Sequence, residues 1–137
     1  MEFELHPRLA NGSFRLGNIA GCQILLKDNA LFPWVLIVPE VEIGVEDLHQ
    51  LAPDHYASVM TLVREISVWL SGYTQADKLN VACIGNQVRQ MHVHVVARFE
   101  KDEAWPQTVW AHSGKKRYCA EDVAKISNGF QKHFCGC

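Results

Sequence analysis

No run in the 137-residue chain approaches the roughly 18 consecutive apolar residues that a membrane span needs, so no membrane partner is expected. The stretch Met1 to Pro7 carries Glu2, Glu4 and His6 and has neither a basic lead nor an unbroken apolar core. It does not read as a signal peptide, and a cytoplasmic location is expected. Excess positive charge is missing too: 13 Lys and Arg face 15 Asp and Glu, for a formal net charge of −2. A duplex polyanion is held by neutralising many phosphates, so nucleic acid is not an expected partner, whereas a small anion needs only a few local cations.

Cysteine is present but not patterned. Cys22, Cys83, Cys119, Cys135 and Cys137 are odd in number and irregular in spacing, which suggests no disulfide framework. Cys22 and Cys83 lie in apolar stretches, where a thiol behaves as a small hydrophobe. The tail His133-Phe134-Cys135-Gly136-Cys137 could take a soft metal, but cysteines one residue apart at a chain end are more often a frayed terminus. Repeats, low-complexity tracts and interdomain linkers are also lacking, and the length suits one core, so a single domain over 1–137 is expected.

What is there reads as an α+β fold. Phe14 to Leu16 and Cys22 to Leu26 are short apolar runs around Gly17-Asn18 and Gly21, the pattern of a β-hairpin. Trp34 to Val38 is a β-branched run closed by Pro39, a third and central strand. From Pro53 to Gly72, Tyr56, Met60, Val63, Ile66 and Leu70 recur at helical spacing, with Pro53 suited to the first turn and Gly72 to the end. Leu79 to Ile84 and Met91 to Phe99 predict a second hairpin across Gly85-Asn86-Gln87. Glu100 to Lys116 lacks a period and reads as a long loop, and Glu121 to Phe130 as a short helix. Short hairpin connections favour about five antiparallel strands with one long amphipathic helix and a shorter C-terminal one.

The chemistry centres on His92 and His94. Residues two apart in a strand share a face, so Gln90, His92 and His94 line one side while Met91, Val93 and Val95 face the other. A single strand histidine is most often inconsequential; two on one face after a glycine turn point to a site. A His-x-His pair could also supply two metal ligands, but no third is obvious, since Glu100 and Asp102 lie farther on and His112 sits in a loop. Arg89 and Arg98 read as solvated strand charges and Trp69 as packing, while Trp105 and Trp110, in the long loop, could shape the mouth of a site.

Gln90-Met91-His92-Val93-His94-Val95-Val96 resembles the signature of the histidine triad (HIT) proteins, His-φ-His-φ-His-φ-φ with φ apolar. Gly85-Asn86-Gln87-Val88-Arg89 looks like the Gly-Gln-Ser/Thr-Val lead-in of that family, and Trp34 to Pro39 like its apolar strand ending in proline. Gln90 at the first triad place, with Ala97-Arg98-Phe99 and Ala104-Trp105-Pro106, is similar to a bacterial branch described as diadenosine tetraphosphate hydrolase-like. The chain departs from the pattern twice: Gln90 replaces the first histidine, and Trp34 stands near an earlier histidine of many members.

The resemblance implies a HIT-like fold and a nucleotide hydrolase or nucleotidyl transferase acting at an α-phosphate. His92 matches the middle histidine, the family's nucleophile; a neutral imidazole has a free lone pair and forms a labile phosphoramidate. His94 matches the third place, where an N–H can hold a phosphate oxygen. Gln90 cannot titrate, but its amide can support structure or phosphate. Asn86 and Gln87 match phosphate or leaving-group contacts, Asp28, beside Asn29, a ribose contact, and Asn80 stands behind it. The resemblance further implies a small-molecule nucleotide as partner, a homodimer and no required cofactor, although a divalent cation could accompany a polyphosphate. Two alternatives stay open: a non-catalytic nucleotide-binding module, and a metal-dependent enzyme using His92 and His94 as ligands.

Overall fold

The computed structural model describes residues 2–135. Gly136 and Cys137, two of the five residues of the tail considered for a soft metal, lie outside the described residues.

A short helix that the sequence did not announce, α1 (Pro7–Asn11), opens with proline in its first turn and is capped by His6, whose Nδ1 accepts from the Arg8 N–H. Strands β1 (Ser13–Ile19) and β2 (Cys22–Lys27) form the first hairpin. Its turn is Ala20-Gly21, both left-handed with φ of 51° and 74°, the hand that matches strand twist. The turn chemistry expected at Gly17-Asn18 is therefore displaced: these residues pair with Ile24 and Gln23 in the ladder. Gly17 follows a bulge in β1, and a Cβ there would come within 3.0 Å of the Phe130 ring. Its bare backbone lets the C-terminal helix approach.

β3 (Trp34–Pro39), β4 (Lys78–Ala82) and β5 (Val93–Arg98) complete a five-stranded antiparallel sheet of order β1-β2-β3-β5-β4. Five antiparallel strands and the β4/β5 pairing agree with the pattern of the sequence. The last two strands are shorter than expected, which leaves His92 in the backbone just ahead of β5.

Helix α2 (Pro53–Thr74) passes Gly72, which has open space around it, and ends on the left-handed Gln75. Its buried row is Val59, Leu62, Val63, Ile66, Trp69 and Leu70, rotated from the expected one, for Tyr56 is exposed. α3 (Ala120–Phe134) runs longer than Glu121–Phe130 and inserts Phe130 beside Trp69. None of these helices is long and apolar enough to cross a membrane, among the described residues.

α2 and α3 cover one face of the sheet, where Ile24, Leu26, Val35, Ile37, Val93 and Val95 meet α2 and Phe130. The other face carries Leu25, Trp34, Leu36, Val38 and Val96 under Leu9, Phe32, Ala104 and Val109. This second layer comes from the N-terminal segment, the β2–β3 loop and the expected long loop, which carries a 3₁₀ turn at Val109–Ala111. Every residue of β3 and β5 is consequently buried. The histidines emerge on the loop-covered side.

Candidate active site

Met91 and Val93 belong to the helix-side core, so alternation turns His92 and His94 to the opposite face, as expected. Both are only 6% exposed, and their ring centroids are 4.8 Å apart. They are not half-exposed strand histidines.

Their partners assign their protons. His92 Nδ1 lies 2.7 Å from the Gln90 carbonyl oxygen, which can only accept. Nδ1 therefore carries the hydrogen, and the neutral ring leaves Nε2 bare. His94 is the reverse: the Trp34 indole, a donor only, gives its Nε1–H to His94 Nδ1 at 2.9 Å, which places the hydrogen of the neutral ring on Nε2. Two neighbouring imidazoles thus present a lone pair and an N–H.

Electrostatics keeps both neutral. Burial pushes His92 below its usual 6.5 against the opposing pull of the Gln90 carbonyl, and Lys27 and His6 add to the lowering. His94 is pushed down to about 3, by burial first and then by His92 and Lys27. At neutral pH the lone pair on His92 is available without deprotonation.

Gln90 faces away from proton chemistry, because both ends of its amide are taken by the N-terminal segment. Nε2 donates to the Glu4 carbonyl at 2.9 Å and Oε1 accepts the His6 N–H at 2.8 Å. The residue at the first triad place staples residues 4–6 over the site. Gln87 lies in the exposed turn and accepts from Arg8 Nη2 at 3.2 Å; Asn86, also exposed, has no side-chain hydrogen bond among the described residues.

The residues considered for ribose are held by other parts of the protein. Asp28 Oδ1 accepts the Tyr118 N–H at 2.9 Å, and the buried Asn29 accepts from the backbone of Leu31 and Lys116. Asn80 Oδ1 accepts from Arg98 Nη1 at 2.8 Å. The structure does not bring Asp28 or Asn80 into hydrogen bonding with His92 or His94.

Arg98 corrects the expectation of a solvated charge. It is 1% exposed, forks onto Asp102 at 2.8 and 3.1 Å, and donates to Asn80 and the Gln107 carbonyl. Phe32 and Trp105 flank its guanidinium at 5.7 and 5.6 Å. Desolvation works to raise the Asp102 carboxyl, but Arg98 and the N–H groups of Phe99 and Trp105 hold it below the usual range. This buried pair folds the long loop over the histidines. Arg89 fits the surface expectation, 73% exposed and paired with Glu46 at 3.0 Å.

Trp110, from the same loop, packs edge-on against His94 and Trp34, with centroids 5.3 and 5.8 Å away. Its Nε1–H is buried with no partner among the described residues, an omission that typically costs about 1–3 kcal/mol. Trp105 instead stacks with Arg98. Lys27 and Arg8 were not singled out from sequence as site residues; the signal available for Lys27 was its place at the end of a strand neighbouring Trp34.

Fold and site together define an α+β protein built to present a neutral imidazole lone pair beside an imidazole donor. The chain belongs to the HIT domain family, whose model matches residues 9–101. Among solved structures it is similar to histidine triad proteins from Bradyrhizobium japonicum (31% identity, TM-score 0.92, covering 96% of this chain and 97% of that one) and Marinobacter aquaeolei (31%, 0.92, 98% and 97%). A histidine triad protein from Sinorhizobium meliloti is comparable, at 29% identity and TM-score 0.92 over 96% and 97%. No curated protein matches the chain. HIT-family proteins in general bind or hydrolyse nucleotides.

Proposed function

We propose that the protein is a nucleotide hydrolase or nucleotidyl transferase that acts at an α-phosphate through a nucleotidyl-His92 intermediate. The observation that carries this reading is the 2.7 Å bond from His92 Nδ1 to the Gln90 carbonyl, which leaves Nε2 bare in a ring that burial keeps neutral. Nε2 attacks the α-phosphorus, the N–P bond forms, and the bond to the leaving group breaks with its electron pair departing on that group. His94 donates from Nε2 to a non-bridging oxygen as charge builds there. Water then attacks the same phosphorus and gives up a proton to solvent, while the N–P bond breaks with its electron pair returning to His92 Nε2 and the nucleotide is released.

Among substrates, a dinucleoside polyphosphate such as diadenosine tetraphosphate and a nucleoside phosphoramidate both offer the required bond. The similarity of Gln90 and its flanking residues to the diadenosine tetraphosphate hydrolase-like branch favours the former. No resident metal is invoked, and a divalent cation enters only with its polyphosphate. The same reading carries a cytoplasmic location and a homodimer, and light scattering on the purified protein checks the dimer.

The test is turnover of diadenosine tetraphosphate and adenosine 5′-phosphoramidate by wild type and His92→Asn, with and without chelator. Wild type should turn over and form an adduct on His92 visible by mass spectrometry, while His92→Asn should lose at least about a thousandfold in rate. Turnover indifferent to the substitution would overturn the nucleophile. Loss of adenosine 5′-phosphoramidate turnover with chelator would favour the metal reading, and binding without cleavage of either substrate the binding-module reading.

A further inference from the structure

Lys27 lies close enough to both histidines to act on their charge, and Arg8 and Lys115 lie close enough to act on Lys27; none of the three is in an ion pair among the described residues. Lys27 ends β2, and its ammonium sits 4.9 Å from the centroid of Trp34, the residue that donates to His94. Arg8, in α1, reaches Gln87 at 3.2 Å in the turn that leads into His92. Lys115 arrives from the other end of the chain, immediately ahead of residues 116–118, which are strapped along residues 28–30. The strap consists of the Ala30 N–H on the Lys116 carbonyl (2.6 Å), the Lys116 N–H on Asn29 Oδ1 (3.4 Å) and the Tyr118 N–H on Asp28 Oδ1 (2.9 Å).

Lys27 feels the other two charges. Burial makes the half-buried Lys27 ammonium less stable, and Lys115 and Arg8 add repulsion; Lys27 in turn disfavours protonation of both histidines. Asp28 turns its Oδ1 to the Tyr118 N–H, and no ion pair to Arg8, Lys27 or Lys115 exists among the described residues. Like charges held together beside a partly buried site form a focused positive field suited to an anion.

We propose that Arg8, Lys27 and Lys115 form a polyphosphate subsite, which holds the phosphates beyond the one attacked by His92 and selects nucleoside polyphosphates over single-phosphate conjugates. This rests on the nucleotidyl-transfer reading above. A second observation agrees with it. Gln90 cannot titrate, and both ends of its amide are bound, so it offers no proton to a departing group. A polyphosphate needs none: it leaves as an anion, taking the P–O electron pair as the N–P bond forms, and the cations stabilise the charge it carries away.

Calorimetry of the intact protein with inorganic tripolyphosphate and with orthophosphate tests the subsite without any turnover. Tripolyphosphate should bind about tenfold or more tighter than orthophosphate, and Lys27→Met and Arg8→Met should each weaken it about three- to tenfold. Lys27→Met keeps an apolar stem over Trp34. Lys115→Gln, on an exposed side chain that leaves the fold undisturbed, should weaken tripolyphosphate in the same direction, and Arg64→Gln on the solvent side of α2 should not. The ratio of kcat/KM for diadenosine tetraphosphate over adenosine 5′-phosphoramidate should fall about tenfold in Lys27→Met. Tripolyphosphate that binds no tighter than orthophosphate, or that ignores all three substitutions, would overturn the subsite even if nucleotides are cleaved at His92. Tight tripolyphosphate binding by a protein that cleaves no nucleotide would instead overturn the proposed function and leave the anion site standing.

Discussion

Met91, Val93, Val95 and Ala97 point to the helices, and His92, His94, Val96 and Arg98 alternate with them toward the long loop; both sets are buried. On the helix side, burial is the end in itself, since aliphatic surface leaves water and packs on Leu62, Ile66 and Leu70. On the loop side, burial alters chemistry: it strips the histidines of their tendency to protonate and makes the Arg98–Asp102 pair an obligatory one. One face sets stability, while the other converts low exposure into defined proton positions.

Substitutions that separate stability from chemistry test this contrast. The largest loss should come from Arg98→Met, which leaves Asp102, Asn80 and the Gln107 carbonyl without their donor; stability in urea should fall by about 3–5 kcal/mol and the loop should lose its seat over the histidines. Ile66→Ala, on the other face, should cost about 3 kcal/mol by cavity formation, with the specific activity of the folded protein unchanged.

Acid should act on the histidine face next. His94 lies at about 3 in the folded chain against 6.5 as a free group, so below pH 6.5 the unfolded chain takes its proton first. The stability this group permits at neutral pH is lost progressively as pH falls from 6.5 toward 3, about 2 kcal/mol of it by pH 5. Urea midpoints measured at pH 7 and 5 should show the drop, and His94→Gln should reduce it, leaving the part that belongs to the likewise lowered His92.

Trp34→Phe should give the smallest change, about a tenfold loss in kcat/KM, because it keeps the ring but removes the donor that holds His94 Nδ1 bare. The His94 ring should also titrate at higher pH by NMR, since its protonation then displaces no hydrogen bond. A purely packing role for Trp34 would leave that titration in place.

Short-range features were legible in the sequence. The period-two pattern from Gln90 to Val96 placed the two imidazoles on one face, and the five antiparallel strands followed from hairpin spacing and Pro39. Features that depend on distant chain segments were not. Gln90 is bound by residues 84 and 86 positions away, so its structural role is invisible beside the triad. Arg98 shares the histidine face by the same period, yet its burial depends on a loop that turns back to supply Asp102 and the Gln107 carbonyl. Gly17 looked like a turn residue because its actual reason, the approach of Phe130, lies across the fold. Trp34, a departure from the family pattern, becomes intelligible only when its indole is seen to meet His94.

The central claim is that the two histidines hold opposite tautomers. Long-range proton–nitrogen correlation spectra of the ¹⁵N-histidine-labelled protein at pH 7 read this directly. The account predicts a protonated Nδ1 and bare Nε2 for His92, with a bare Nδ1 and protonated Nε2 for His94. The same tautomer on both rings, or an imidazolium at either, would contradict it.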